Sequence, residues 1–312
     1  MNVFQNIENY NPDSKCILTI GTFDGVHIGH KKIIKKLVKL ANKKKIESTI
    51  LTFFPHPRMV LQKESNLKLI DTLEEKKNLL KKLGVDNLIV HPFSEAFSRL
   101  TSLEFCRDFL VNQLQTDTLL IGYDHHFGHN RQAKSKDLAA MGKTYNFDVD
   151  IIPAQDISSI TVSSTKVRKA IESSNFMLVE KFLGRYFELT GIVTKGDGIG
   201  RTIDFPTANI NVKESYKLIP LNGVYLVSVK CENNLFKGMM NIGIRPTING
   251  KRQTLEVHIF NFNKDIYNQK LKILFIEKIR DEQKFESLDA LKKQLEKDKE
   301  ISKRSLIKKG LH

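Results

Sequence analysis

Between residues 21 and 32 the chain reads GTFDGVHIGHKK, directly after the apolar run CILTI at residues 16–20. The run predicts a buried strand, and the apolar positions spaced through the lysine-rich stretch that follows predict a helix. The glycines of the quoted segment, Gly21, Gly25 and Gly29, allow a tight turn and a close approach of backbone to ligand. Backbone N–H groups and the dipole at a helix start attract phosphate. This stretch therefore predicts a phosphate site between a strand and a helix.

Two histidines stand at the start of that helix. His27 and His30 lie three residues apart, so their side chains can meet on one side of the first turn. Paired imidazoles can donate hydrogen bonds to phosphoryl oxygens as charge develops during phosphoryl or nucleotidyl transfer. A capped loop with two incidental histidines is the alternative, and the coincidence of glycines, spacing and position argues against it. We predict catalytic roles for both histidines, with Phe23 in the same ATP site.

The first half of the chain alternates strand-like and helix-like segments. The strand-like segments are KCILTIG, STILTFF, DNLIVHPF, DTLLIG and FDVDIIPA, and the helix-like ones are HKKIIKKLVKLANKKK, LEEKKNLLKKLG, SLEFCRDFLVNQLQ and VSSTKVRKAIES. Such alternation predicts βαβ units and an α/β fold with a doubly wound parallel sheet. Ligands of such sheets lie at the carboxyl ends of the strands, near a topological switch point.

The pattern changes near Gly184, where short strand-like segments separated by Gly, Asn and Pro begin. They predict an antiparallel barrel or sandwich, and the helical periodicity of SLDALKKQLEKDKEI adds one terminal helix. A chain of 312 residues suits two domains. We place them at residues 1–183 and 184–312.

Composition narrows the class of protein. The net charge of +15 favours anionic ligands, but no nucleic-acid-binding module accompanies it. No apolar stretch reaches the roughly 18 residues of a membrane span, and the N-terminus does not resemble a secretory signal. The three cysteines are far apart and fit neither a disulfide framework nor a metal pattern. We expect a cytoplasmic enzyme for small molecules, with no nucleic-acid or membrane partner, and leave its oligomeric state open.

A second candidate phosphate site lies at residues 196–209, GDGIGRTIDFPTAN. Its glycines could fold over the phosphates of ATP, although a loop of this kind is a weak signal by itself. The hydroxyl of Thr207 and the side-chain carbonyl of Asn209 are oxygen ligands suited to Mg²⁺. The residues assigned to ATP here are Gly196, Gly198, Gly200 and Arg201.

These motifs resemble those of bacterial bifunctional riboflavin kinase/FAD synthetases. GTFDGVHIGH is similar to the family's H-x-G-H nucleotidyltransferase signature, and TFFPHPRMVL, GYDHHFGHNR and TVSSTKVRKAI resemble three further segments of that half. The second half resembles the riboflavin kinase module in order, through LNGVYLVSV, GMMNIGIRPTING, TLEVHIFNFNKDIYNQKLKI and IRDEQKFESLDALKKQLEKD. The resemblance spans nearly the whole chain.

The resemblance implies an N-terminal FMN adenylyltransferase domain and a C-terminal riboflavin kinase domain. Riboflavin, FMN and ATP would be the substrates, with Mg²⁺ as cofactor. It assigns Glu256 as the base, Thr207 and Asn209 as Mg²⁺ ligands, and Asp124 and Pro206 to the flavin. Hydroxyls and a guanidinium at a helix start would form a second phosphate clamp in the N-terminal half. Its members are Ser163, Ser164, Thr165 and Arg168.

Strand alternation makes the assignment of Glu256 plausible. In TLEVHIFNF the apolar Leu255, Val257 and Ile259 share one face, which leaves Glu256 and His258 on the other. A carboxylate within reach of a ribityl hydroxyl could accept its proton during phosphoryl transfer. A solvent-facing glutamate is the alternative reading.

The sequence departs from the family pattern in places. His125-His126 stands where the family often carries Phe-Arg, Asp204 where it usually has Gly, and Asn261 and Asn268 replace a common Asp and Gly. Because of Asp204 and His125-His126, it stays open that only one of the two activities is retained.

Three other readings also stay open at this point. One is a nucleotidyltransferase for another phosphorylated acceptor, and another is a flavin- or nucleotide-binding regulator with inactive sites. The third is a structural metal on the loop with Asp124, His125, His126 and His129, whose adjacent histidines are poor evidence of tetrahedral geometry.

Overall fold

The computed structural model describes residues 1–62, 64, 66–122, 126–127, 133–152, 162–196, 198–247 and 250–311. The chain forms two compact units, Met1–Ser164 and Thr165–His312. The predicted domain boundary at residues 183 and 184 stays a prediction.

The first unit is built on a parallel sheet of six strands. Their order is β1-β4-β3-β2-β5-β8, and every neighbouring pair is parallel. From the central β2 the chain moves outward through β3 and β4, then returns to β5 on the other side of β2. The switch point therefore lies between β2 and β5. The strands are β1 Asn2–Phe4, β2 Cys16–Ile20, β3 Glu47–Phe53, β4 Asn87–His91, β5 Thr116–Gly122 and β8 Asp148–Ile152.

Both faces of this sheet are buried, as a doubly wound fold requires. Leu18 belongs to a core cluster with Leu110 on one face, whereas its neighbour Ile17 packs with Ile34 and Leu80 on the other. The helices of the unit are α1 Ile28–Lys44, α2 Pro57–Leu61, α3 Leu73–Lys82, α4 Glu95–Ser98, α5 Ser102–Glu104 and α6 Ser135–Tyr145. A short antiparallel pair, β6 His126–Phe127 and β7 Ala133–Lys134, precedes α6. The predicted doubly wound fold is confirmed.

One predicted helix differs in type from the expectation. After α5 the chain continues as a π-helix over Phe105–Gln113, and the N–H of Leu114 bonds the carbonyl of Phe109, five residues back. The stacked rings of Phe105 and Phe109 project from it. Apolar periodicity predicts a buried helix here, but it does not distinguish the wider π turn from the α turn.

The second unit is a closed antiparallel barrel of six strands in the order β10-β13-β12-β11-β14-β9. The strands are β9 Phe187–Thr194, β10 Ala208–Asn211, β11 Gly223–Cys231, β12 Asn234–Thr247, β13 Gly250–Ile259 and β14 Lys270–Arg280. Its helices are α7 Ser164–Glu172, which begins at the unit boundary, α8 Phe176–Leu183, α9 Ile199–Thr202 and the terminal α10 Leu288–Lys308. The predicted barrel with one terminal helix is confirmed.

Helix α10 distinguishes the two surfaces of the barrel wall. Leu306 of α10 lies in one core cluster with Val224, Leu226 and Met239, so these strand residues face outward, beneath the helix. Their neighbours in the strands, such as the fully buried Met240, face the barrel interior. In the part of the chain that the structure describes, no helix is both long and apolar enough to cross a membrane.

Candidate active sites

The loop between β2 and α1 lies at the carboxyl end of the central strand, beside the switch point. It is anchored by Phe23 and Val26, whose side chains belong to the core cluster beneath α1. Both residues have positive φ angles, 45° and 38°, and Gly25 between them has φ 85°. The positive φ favours glycine here, and a Cβ would also lie 2.8 Å from the terminal methyl group of Ile70, which would have to shift. A strained loop of this kind persists only where its surroundings hold it.

His27 and His30 meet at the helix start. Their rings stack with centroids 3.6 Å apart and planes 14° apart, and the edge of Phe23 packs against His30. His27 is the N-cap of α1, because its Nδ1 accepts the backbone N–H of His30 at 3.2 Å. The first turn of α1 carries no acidic side chain, so the helix dipole there is not neutralised from within.

Burial keeps both imidazoles uncharged at neutral pH. It lowers the pKa of His27 to about 4. The pKa of His30 is also well below its ordinary value, through burial first, then the neighbouring His27 and Lys76. Because Nδ1 of His27 accepts a hydrogen bond, the proton of the neutral ring is on Nε2, which is therefore a donor. Nδ1 of His30 is buried with no hydrogen-bond partner among the residues described.

The second motif of this half reaches the same loop. The Ser164 hydroxyl donates to the backbone carbonyl of Asp24 at 2.9 Å, and Val162 lies beside Gly29. The exposed Ser163 precedes it, and Thr165 and the buried Arg168 follow in α7, within the second compact unit. The structure thus brings Ser164 to the loop at residues 21–30. Asp124 lies outside the described residues, as do His125 and His129 of the candidate metal loop.

The barrel presents a row of polar residues on its outward surface. Glu256 of β13 is paired in register with Asn209 of β10 on one side and Asn241 of β12 on the other. Thr194 of β9 extends the row beyond Asn209. Residues directly opposite in a sheet project from the same face, and Asn241 is itself opposite the outward-facing Val224. Glu256 therefore belongs to the outer surface of the barrel wall, as alternation predicts.

Thr207 completes this group. Its hydroxyl donates to Oε2 of Glu256 at 3.2 Å. The loop before α9 also reaches the row, because a Cβ on Gly196 would overlap the side-chain amide of Asn209. A larger residue at position 196 would therefore displace the Asn209 side chain. The predicted phosphate loop, Mg²⁺ ligands and base thus occupy one place on the barrel.

The remaining residues of that motif are held in place around it. Nδ1 of His258 lies 2.8 Å from the carbonyl of Pro206, so Nδ1 carries a proton and donates it. Burial lowers the pKa of His258, and its ring packs between Phe205 and Phe260. Gly198, with φ 74°, caps α9. The backbone N–H of Phe205 donates to the carbonyl of Gly200, and Arg201 donates to the hydroxyl of Tyr267 at 3.3 Å.

The donors at the barrel site suit a hard cation. Thr207, Asn209 and Glu256 offer a hydroxyl, an amide carbonyl and a carboxylate, and the Thr207 oxygen keeps its lone pairs while its hydrogen bonds Glu256. Among the residues described, no group of three or more His, Cys, Asp or Glu side chains could hold a metal ion. The three oxygen donors of Thr207, Asn209 and Glu256 suit Mg²⁺, which needs few protein ligands because it keeps several waters and binds substrate phosphates.

Sequence reasoning assigned no role to three residues that these sites contain. Lys76 lies in a lysine-rich helix, where nothing in the sequence distinguishes it from its neighbours. Alternation placed His258 on the same strand face as Glu256, but no function was predicted for it. Asn241 lies in an unremarkable strand. Only His258 and Asn241 could have been found from the sequence, because they are polar residues on strands, where alternation and pairing place polar side chains beside Glu256.

Two family models match the chain. One, described as FAD synthetase, covers residues 10–166, and the other, described as riboflavin kinase, covers residues 183–306.

Three relatives, each called bifunctional riboflavin kinase/FMN adenylyltransferase, match almost end to end. The relative from Buchnera aphidicola subsp. Schizaphis graminum is 36% identical, over 97% of this chain and 98% of its own. That from Haemophilus influenzae is 38% identical, over 92% and 93%, and that from Escherichia coli K12 is 36% identical, over 96% of each. A crystal structure described as a macrolide-efflux protein from Streptococcus pneumoniae is 31% identical, with a TM-score of 0.87 over 96% of this chain and 98% of that one.

Proposed function

Because this chain belongs to the bifunctional riboflavin kinase/FMN adenylyltransferase family, it phosphorylates riboflavin to FMN and adenylylates FMN to FAD, and we propose which residues perform the two steps. The meeting of Thr207, Asn209 and Glu256 on the barrel carries the kinase assignment. The stacked His27–His30 pair at the switch point carries the adenylyltransferase assignment.

In the kinase step, the 5′-hydroxyl of riboflavin attacks the γ-phosphorus of ATP. Glu256 accepts the hydroxyl proton, the bond to the β-phosphate oxygen breaks, and ADP leaves. Thr207 and Asn209 would hold Mg²⁺, which when bound neutralises charge on the phosphates. The glycine loop, Gly196 to Gly200 with Arg201, would cover the triphosphate, and Pro206 would contact the flavin.

In the adenylyl step, a phosphate oxygen of FMN attacks the α-phosphorus of ATP and pyrophosphate leaves. The neutral His27 donates from Nε2 toward the charge that develops on the phosphoryl oxygens, and His30 lies stacked beside it. Backbone groups of the loop with Gly21, Gly25 and Gly29 would surround the phosphates, with Phe23 supporting His30. The clamp of Ser163, Ser164, Thr165 and Arg168 would hold the triphosphate, and Asp124 would contact the flavin.

The three cysteines fit a reducing compartment. Cys16, Cys106 and Cys231 are buried free thiols, and burial raises the pKa of the first two to about 11. We propose a cytoplasmic location, where thiols stay reduced.

Chromatography of the flavins formed from riboflavin, ATP and Mg²⁺ tests both assignments. We expect wild type to make FMN and FAD, His30→Ala to make FMN alone, and Glu256→Gln to make neither.

A matched control is Glu188→Gln, which changes a glutamate of the same barrel that pairs with Lys272 at 3.1 Å, outside the site. It should behave as wild type. If His30→Ala makes FAD at the wild-type rate, His30 is not a catalytic residue. If Glu256→Gln makes FMN, Glu256 is not the base of the kinase step.

A further inference from the structure

Two adjacent lysines of α3 have different surroundings. Lys77 is partly exposed, with 20% of its side chain accessible, and pairs with Glu74 at 2.7 Å. Lys76 is 4% exposed, and its Nζ donates at 2.7 Å to the backbone carbonyl of Thr22, in the loop that carries the histidine pair. A buried lysine is rare in proteins unless its charge has partners.

The first turn of α3 is held in the orientation that this contact needs. Thr72 and Glu75 form a capping box, in which each side chain bonds the backbone N–H of the other. The residues just before it are fixed to the same loop, because Oδ1 of Asp24 accepts the backbone N–H of Ile70 at 3.0 Å. The loop and the start of α3 are therefore joined at two points, the Asp24 carboxylate and the Thr22 carbonyl.

The charge of Lys76 is balanced from nearby. Burial lowers its pKa, and the carboxylates of Asp24 and Asp71 oppose that effect by favouring the ammonium form. This ammonium is one of the groups that disfavour protonation of His30.

A short path connects Lys76 to the reacting groups. The Thr22 carbonyl that it binds directly precedes Phe23, whose backbone has φ 45°. The ring of Phe23 in turn packs edge-on against His30, with centroids 5.2 Å apart. Thr52, at the end of β3, donates to the same carbonyl at 3.3 Å. Loss of Lys76 would leave the strained loop with one of these two donors.

We propose that Lys76 is a positioning residue for adenylyl transfer: its buried ammonium fixes the loop through the Thr22 carbonyl and so sets the placement of the stacked His27–His30 pair. The proposal rests on the role of these histidines in the proposed function. Lys76 itself acts through the loop, not on the reacting atoms.

The variant Lys76→Met, with Lys77→Met as its matched control, tests this in the full-length protein. We expect Lys76→Met to lower kcat for FAD formation from FMN about 100-fold, because a small displacement of reacting groups has an effect of that order. KM for FMN and for ATP should change less than about 3-fold, since ligand contacts stay in place. Riboflavin phosphorylation by the same sample should match wild type, and Lys77→Met should match it in both reactions.

A second readout follows the histidine pair directly. In NMR spectra, the imidazole signals of His30 should shift in Lys76→Met and titrate at higher pH, because a neighbouring cation is gone. Unshifted signals, or a kcat within about 3-fold of wild type, would overturn the proposal.

If Lys76→Met does not fold, Lys76→Gln decides, because its polar amide is tolerated more easily beside Asp24 and Asp71 but carries no ammonium. A reduced kcat with unchanged KM supports the proposal, and a wild-type kcat overturns it. The experiments distinguish failure of the histidine assignment from failure of the Lys76 proposal. Full FAD formation by His30→Ala would contradict the histidine site itself. If His30→Ala is inactive and Lys76→Met is fully active, only the role of Lys76 is contradicted.

Discussion

At the residue scale, the ring of His27 has two structural tasks. Its Nδ1 caps α1 by accepting the N–H of His30, and its face stacks on the His30 ring. Both tasks require a neutral imidazole, because a proton on Nδ1 would break the cap and two stacked cations would repel. The same neutrality leaves Nε2 as a donor, which is the role that we propose for it in adenylyl transfer.

The stability of the first unit should therefore fall in acid. The pKa of His27 is lowered by burial from 6.5 to about 4. Below pH about 6.5 His27 binds a proton in the unfolded chain, whereas in the folded chain it binds one only near pH 4. Between these pH values the free energy of unfolding therefore falls by about 1.4 kcal/mol for each pH unit of acidification.

The variant His27→Asn should lose less stability between pH 7.5 and 5.5, because asparagine also caps a helix but does not titrate. Hydrogen-exchange protection of α1, corrected for intrinsic rates, measures the difference. Equal losses of protection in wild type and His27→Asn would contradict the assignment of this acid sensitivity to His27.

Asp204, an added carboxylate near the phosphate loop, faces a lysine of α10. Its Oδ2 lies 2.6 Å from Nζ of Lys292, and its side chain is 81% exposed. The hydrogen bond from Lys292 lowers the pKa of Asp204, so the pair is ionised and neutralised locally. We expect Asp204→Asn to leave the KM for ATP in the kinase reaction within about 2-fold of wild type, since exposed charges are screened. A severalfold lower KM in initial-rate assays would show that Asp204 opposes ATP.

At the scale of elements, α10 is fixed to the barrel by one buried ion pair. Asp298 is fully buried and accepts from Nε and Nη2 of Arg280 in β14, at 3.0 and 2.8 Å. Gln294 donates to the same carboxylate at 2.8 Å. Helix α10 covers the outward cluster next to the Glu256 row, so this pair supports the wall that carries the kinase site.

Breaking that pair should be strongly destabilising. Asp298→Asn leaves the Arg280 charge without its partner, which costs on the order of 3 kcal/mol. Urea unfolding followed by circular dichroism measures the loss. The control Glu300→Gln disrupts an exposed pair with Arg304 on the same helix, 3.5 Å apart, and should cost less than about 0.5 kcal/mol. Similar losses in both variants would contradict the assignment.

Elements differed in how far periodicity predicted them. Long α1 and α10 were evident, because their apolar positions recur at helical spacing over many residues. The edge strand β1, Asn2–Phe4, was missed, since three residues are too few for alternation to register. Helix α8 lies within the predicted first domain and packs on the barrel, with Phe176 stacked on Phe275 at 5.2 Å. Its partners come from distant strands, which local pattern does not specify.

At the scale of the whole molecule, each activity belongs to a unit with its own core. The loop of the proposed adenylyl site is anchored in the core cluster under α1, and the proposed kinase site lies beside the cluster under α10. A change confined to one site should therefore leave the other reaction intact.

Supplying the intermediate tests this independence. Glu256→Gln should form no FMN from riboflavin, yet it should form FAD from added FMN at the wild-type rate, because His27 and His30 are unchanged. Initial rates of FAD formation, measured by chromatography, check this. A loss of FAD formation from FMN in Glu256→Gln would mean that the two sites depend on each other.

The sequence by itself determined the fold class, the two kinds of domain and the phosphate-site motifs. Each of these depends on residues close together in the chain: apolar periodicity, glycines at turns, or short motifs at fixed spacing. His27, His30, Thr207 and Asn209 were named from such patterns, and Glu256 was named from the resemblance to the family.

Only the tertiary structure decided which of these groups meet and in what protonation state. Strand register places Glu256 between Asn209 and Asn241, and burial makes the stacked histidines neutral. The packing of α3 against the β2–α1 loop buries Lys76 but leaves the adjacent Lys77 partly exposed, although the sequence alone does not distinguish the two lysines. These properties depend on contacts between residues far apart in the chain, and the local patterns of a sequence do not contain them.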